Sequence, residues 1–153
     1  MARSDWPEWI RASLVTHVAT KLSGKTIYNE GAKRDTNTVA NYFEERIQIH
    51  EITERSQGDF KIIVELNILI ATTPTSNLYN HEREVGDALD VFTKEIELLK
   101  HGQGQPGTSL GCLMLTEGIH TVDFGIRKDV DVLLRMSAVD GRYQIRFSET
   151  DWA

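Results

Sequence analysis

Between Phe60 and Ala71 the chain reads Phe-Lys-Ile-Ile-Val-Glu-Leu-Asn-Ile-Leu-Ile-Ala, with Ile62, Val64, Leu66, Ile68 and Ile70 at every second position. A period of two places all five side chains on one face of a β-strand, whereas a helix would scatter them around its circumference. The preceding stretch, Tyr42 to Gln57, alternates more loosely. Gly58-Asp59 between the two is a plausible two-residue turn, so the segment is predicted to be a long hairpin. That turn sets Ile49 opposite Ile68, Ile47 opposite Ile70, Thr53 opposite Val64 and Glu51 opposite Leu66. One face then carries Ile47, Ile49, Ile62, Val64, Leu66, Ile68 and Ile70, enough to be the main core face. On the other, Gln48, His50, Ile52 and Glu54 oppose Leu69, Asn67, Glu65 and Ile63. A half-apolar second face is more than a solvated sheet needs. A helix or a neighbouring subunit would cover it, which makes Ile52, Ile63, Leu69 and Glu65 candidate contacts.

The rest of the chain supplies helices and a second hairpin. A helix is predicted from about Asp5 to Leu22, with Pro7 in its first turn and Trp6, Ile10, Leu14, Val18 and Leu22 at i+4 intervals. Trp6 and Trp9 either dock it on the sheet or reach a neighbour. Residues 23–41 read as a long polar loop carrying Lys33 and Arg34, which are candidate contacts. Loops of this length are either functional or disordered. A second helix is expected from Leu78 or Asn80 to His101, on the stripe Val85, Leu89, Phe92, Ile96 and Leu99, with Gly102 closing it. A flexible loop is expected over about 102–109, followed by strands over Leu110 to Thr116 and Ile119 to Ile126, the latter kinked near Gly125. Asp140-Gly141 is a strong turn signal, predicting a last hairpin of Val130 to Ala138 and Arg142 to Glu149. Its register groups Val132, Leu134 and Met136 with Tyr143, Ile145 and Phe147, and sets Arg135 opposite Arg146. Facing like charges are unfavourable alone, so an acidic group of this chain or a neighbour is expected against them. The fold class is α+β, a mixed, mostly antiparallel sheet built from two long hairpins with two main helices packed on it.

The length of 153 residues suits one domain spanning 1–153. A net charge of -6 argues against nucleic acid as the main partner, because duplex binding needs a basic surface. No apolar stretch approaches the ~20 residues of a membrane span, and none of signal-peptide length opens the chain, so a cytoplasmic protein is expected. Cys112 is the single cysteine, which leaves no intrachain disulfide; it sits in an apolar run and is expected to be a small buried hydrophobe. Residues 102–107 fit G-x-G-x-x-G literally, but on this reading they follow a helix and precede a strand, the reverse of a dinucleotide site. The five histidines share no metal-ligand spacing, and after His81-Glu82 the second ligand of a zincin motif is replaced by Val85. Glu84, Asp87 and Asp90 read as a solvated helix face. No catalytic, cofactor or metal residues are assigned, and the chain reads as a non-enzymatic building block.

A helix, a long hairpin, a helix opening Tyr79-Asn80-His81-Glu82 and a β-rich final third ending Asp140-Gly141-Arg142-Tyr143-Gln144-Ile145-Arg146-Phe147 together resemble the tail terminator, or tail-completion, proteins of long-tailed bacteriophages, the minor tail protein U type. The resemblance covers nearly the whole chain and rests on size, element order and texture. It implies a structural virion protein that closes into a ring, typically six-fold, at the head-proximal end of the tail. Such a ring caps the tail tube, stops its polymerisation and meets the head connector. The implied partners are further copies of the chain, the tail tube protein and neck proteins, with no cofactor. The alternatives are another neck or connector component, or a small non-catalytic ligand-binding α+β domain.

Overall fold

The computed structural model describes residues 3–30, 41–73, 78–102, 105–129 and 132–152; Lys33 and Arg34 lie outside them. In chain order the elements are α1 (Trp6–Lys21), β1 (Ile27–Asn29), β2 (Tyr42–Ser56), β3 (Asp59–Thr72), α2 (Leu78–Leu89), β4 (Glu95–Gly102), β5 (Gln105–Leu115), β6 (His120–Asp129) and β7 (Val132–Ser148), closed by a 3-10 turn, Glu149–Trp152. One sheet of seven strands runs β1-β2-β3-β7-β5-β4, with β6 also paired to β7. Only β1 and β2 are parallel. The class is therefore α+β with a mixed, mostly antiparallel sheet and two main helices, as the sequence predicts.

The first hairpin forms, in a different register. Its turn is Gln57-Gly58, one residue earlier than expected, with Ser56 opposite Asp59 and Gly58 at φ 80°, a conformation glycine adopts without strain. Bulges at Arg55 and His50 each add one more residue to β2. Ile49 therefore faces Val64 and Ile47 faces Leu66. The total slip of four is even, so the expected core face survives: Ile62, Val64, Leu66, Ile68 and Ile70 are fully buried. Beyond His50 the parity changes. Ile52 lies opposite Ile62, on the core side rather than the second face, at an end where it remains exposed.

The second hairpin does not exist as expected. Residues 132–148 are one continuous strand, bonded across Asp140 and Gly141 to Asn67 and Leu66 of β3. Leu134 and Met136 consequently face away from Tyr143, Ile145 and Phe147, which point to the helices. Arg135 and Arg146 are not opposed; they stand eleven positions apart on one strand, about 36 Å at strand rise, beside Thr72 and Lys61 respectively. The glycine of the supposed turn serves close packing. A Cβ on Gly141 would sit 2.9 Å from Cδ1 of Phe92 and 3.2 Å from Cδ1 of Leu115.

α2 also stops short of its predicted end. The N–H groups of Val91 and Phe92 close tight turns onto Ala88 and Leu89, and the chain leaves as β4. From Glu95 the alternation of exposed Glu95 and Glu97 with buried Ile96 and Leu98 is a strand period, which prevails over the helical stripe. The connection is pinned by the Tyr143 hydroxyl donating to Thr93 O at 2.7 Å and by Leu115 N–H on Lys94 O. Gly102 pairs with Gln105, so 105–109 belong to a strand and not to a flexible loop; residues 103–104 are outside the described set. The G-x-G-x-x-G match thus joins two strands and opens no helix.

α1 lies on the core face with Trp6 and Trp9 buried. Trp6 meets Phe60, Phe147 and Trp152 edge-on at 5.1, 4.9 and 5.7 Å between ring centres, so both tryptophans dock the helix within the chain. The packing at Gly141 gives a direct test. Although valine suits strands, Gly141→Val is expected to destabilise by about 1–3 kcal/mol through overpacking against Phe92, read as a lower thermal midpoint. An unchanged or higher midpoint would refute the close packing.

Candidate assembly surface

An unpaired strand edge presents open N–H and C=O groups, and what covers each edge decides where a partner can join. β4 is covered by α1: Trp9 Nε1 donates to His101 O at 2.9 Å, and Ser13 Oγ accepts from Leu99 N–H at 2.9 Å while lying 3.4 Å from Leu99 O. The first part of β2 is covered by β1 over residues 43–45, and Arg11 Nη2 donates to Ile47 O at 3.0 Å. Besides the outer edge of β1 and the β5 and β7 segments that flank their two-residue junction, two stretches remain without an outer strand partner among the described residues. One is the distal arm of β2, where Ile52, Thr53, Glu54, Arg55 and Ser56 are exposed. The other is the outer edge of β6.

β6 is the more unusual. Val122, Phe124 and Ile126 keep 46%, 40% and 50% of their surface exposed, and Leu133 on the adjoining strand keeps 56%. Leu78 and Tyr79 at the start of α2 are exposed as well, and Leu78 shares a cleft with Val122. Isolated exposed apolar residues need no explanation, but several on one short edge strand are unusual, even though the bulge at Phe124 places Val122, opposite Ala138, and Ile126, opposite Arg135, on different faces of the sheet. The strand kinks where the sequence predicts. A bulge falls at Phe124, Gly125 takes φ 71°, its N–H donates to Asp123 Oδ1 at 2.7 Å, and Arg127 Nε donates to Phe124 O at 2.9 Å.

The residues singled out from the sequence are scattered, Ile52 on the β2 arm and the others elsewhere. Ile63 and Leu69 are half-buried on the second face, which has its own small cluster of Tyr42, Ala71 and Leu134 backed by Tyr28 and Met136. Glu65 is engaged by His50 at 2.6 Å. Arg146 lines an open groove of about 480 Å³ with Arg55, Asp59 and Asp151 and is in no salt bridge among the described residues. Arg135 is half-buried with an Nε that has no hydrogen-bond partner, opposite Ile126 of β6. The edge of β6 itself, with Phe124 and Leu133, was not singled out from the sequence; its signal was the apolar content of a short kinked strand.

Two buried polar sites lie beneath these surfaces. His81 is held between Thr72 Oγ1, 2.7 Å from Nδ1, and Ser137 Oγ, 2.8 Å from Nε2, tying α2 to β3 and β7. Thr72, not a carboxylate, faces Nδ1, so the pair lacks the acidic group that orients a catalytic histidine. The adjoining cleft is about 190 Å³, below the usual ligand-pocket range of roughly 300–1,000 Å³. Burial, then the nearby Arg135 charge, holds the His81 ring below the usual histidine pKa; burial does the same for His17, which bonds Val91 O. Glu45 is buried on the core face opposite Ile68, and its Oε2 has no partner. Burial raises its pKa to about 7 against a smaller opposing pull from Arg11. Cys112 is half-buried rather than buried, its thiol pushed up by burial and by Glu95 and Glu97. Among the described residues no cluster of three or more His, Cys, Asp or Glu side chains is placed to hold a metal, and no helix is long and apolar enough to cross a membrane.

No family model matches the chain, and no curated protein does. Among solved structures, one covers 92% of this chain and 96% of its own length with a TM-score of 0.58 at 9% identity. At that identity the likeness shows the fold alone.

The buried acid and histidines give opposite pH dependences. Glu45 titrates higher folded than unfolded, so its contribution is intact below about pH 4.5 and is lost as pH rises towards 7. The two histidines titrate lower folded, so they cost stability as pH falls below the ordinary histidine value near 6.5. Glu45→Gln is therefore expected to gain about 2–3 kcal/mol over wild type between pH 4 and pH 8 in denaturant melts, the size of a shift of this order. A pH-independent difference would contradict the burial of an unpaired carboxyl.

Proposed function

We propose that this chain is a structural virion protein of a long-tailed bacteriophage, a tail terminator whose copies close into a ring at the head-proximal end of the tail. The ring caps the tail tube, halts its polymerisation and joins the tail to the head connector. The observation that carries the reading is the edge of β6, where Val122, Phe124 and Ile126 stand exposed beside Leu133 on a strand with no outer neighbour among the described residues. A monomer gains nothing from such an edge, and a sheet that continues into another copy buries it. The resemblance in element order to tail terminators supplies the particular assembly, with a hexamer as the expected ring. The partners are other copies, the tail tube protein and the neck proteins, and no cofactor or sequence-specific nucleic acid contact enters. Another neck component shares the same surface logic. For the ligand-binding alternative, the cleft between α2 and the sheet beside His81 is small, whereas the groove at Arg146 is of ligand size but open.

Light scattering of the purified chain, alone and with tail tubes assembled from their own subunit, tests this. A discrete oligomer, and tubes that stop growing on its addition, are expected. A strict monomer that leaves tube growth unchanged would contradict the proposal.

A further inference from the structure

The reading above leaves open which surfaces meet between copies, and the following rests on it. We infer that the regular stretch of β6 beyond its bulge, residues 126–129, pairs with the regular stretch of the β2 arm, residues 51–54, of the next copy, continuing the sheet from one subunit into another. Three observations lead there. The first is elimination: α1 occupies β4 through Trp9 and Ser13, β1 and Arg11 occupy the start of β2, and the bulge of β6 satisfies its own Gly125 N–H and Phe124 O. What remains open on these two strands is one four-residue run each; the outer edge of β1 is only three residues long, and the gap between β5 and β7 lies within the subunit. On β2 it lies between the bulges at His50 and Arg55. On β6 it follows the bulge at Phe124.

The second is charge. Arg127 and Lys128 on β6 are exposed and in no salt bridge among the described residues, and the same holds for the exposed Glu54 and half-buried Glu51 on the arm. Glu51 accepts only from the Thr53 hydroxyl and Glu54 only from the Gly58 N–H. Arg127 and Lys128 are adjacent and Glu51 and Glu54 three apart, so one register opposes only one such pair directly. A parallel pairing with Lys128 opposite Glu54 also sets exposed Ile126 opposite exposed Ile52 and leaves Arg127 diagonal to Glu51, all within side-chain reach. Two β6 edges meeting each other would set Arg127 and Lys128 against themselves, which disfavours a two-fold contact through this strand.

The third is position. β6 flanks residues 132–140 of β7, whereas the arm ends beside Ser148 at the other end and on the far side of β3. A contact between unlike patches at opposite corners of one sheet is heterologous, the kind that propagates and closes into a ring.

Charge exchange tests the pairing. Arg127→Glu with Lys128→Glu, and separately Glu51→Lys with Glu54→Lys, are each expected to weaken self-association by at least about tenfold while leaving the thermal midpoint of these surface variants near wild type. An equimolar mixture of the two variants is expected to regain assembly, in rings of even order, because every junction then joins opposite charges; one chain carrying all four substitutions should regain it as well. Assembly at wild-type strength in either double variant, or no recovery on mixing, would overturn the pairing while leaving ring formation standing. A wild-type chain that stays monomeric even with tail tubes present would overturn both.

Discussion

A sheet edge cannot be left half satisfied, and in this protein α1 is what settles two of them. Its Trp9 and Ser13 side chains complete the hydrogen bonds of β4, and its Arg11 completes one of β2. The sheet therefore curls so that one helix reaches strands at both ends of the order β1-β2-β3-β7-β5-β4. Trp6 fixes that position by inserting among Phe60, Phe147 and Trp152, each edge-to-face pair contributing roughly 0.5–1.5 kcal/mol beyond its burial. Remove the helix and the core face loses its cover while two edges open to solvent.

The same arrangement explains why a third edge stays open. β7 is the spine: β3 runs along one side of it from Arg135 to Ser148, and the other side is shared, β5 at Tyr143 and Gln144, β6 from Val132 to Asp140. α1 is committed to β4 and β2 through Trp9, Ser13 and Arg11. α2 does come near, latched by His81 between Thr72 and Ser137, and shares a cleft with Thr121, Val122 and Asp123 of β6. A bulge and a few charges are what protect β6 in the free subunit, the usual economical means of blunting an edge. They leave Ile126 and Leu133 exposed, which is the local instability that an assembling partner would relieve.

Much of this was legible in the sequence. The period of two from Ile62 to Ile70 fixes the core face of β3 whatever the register, and Ile47 and Ile49 share it because the slip is even. The i+4 spacing from Trp6 to Leu22 fixes α1, and Gly125 marks a true kink. What failed was local pattern against tertiary packing. Asp140-Gly141 has the chemistry of a hairpin turn, yet Gly141 is there to admit the Phe92 ring. Phe92, Ile96 and Leu99 suit a helix as well as a strand, and only Tyr143 and β5 decide between them. Bulges at His50 and Arg55 leave no mark in composition, so the place of Ile52 was out of reach, and with it the facing of the β2 arm. The clash of Arg135 and Arg146 was a consequence of the false turn and vanishes with it.

β6 is an edge that the fold leaves without an outer strand among the described residues, and the proposed assembly would close it. Residue-resolved amide hydrogen exchange on the free and assembled protein measures this directly. The Leu99 amide, held by Ser13, should be protected in both states. Outward amides of residues 126–129 should exchange rapidly in the free subunit and become protected on assembly. Protection of β6 already in the free subunit, or no change there on assembly, would contradict the account.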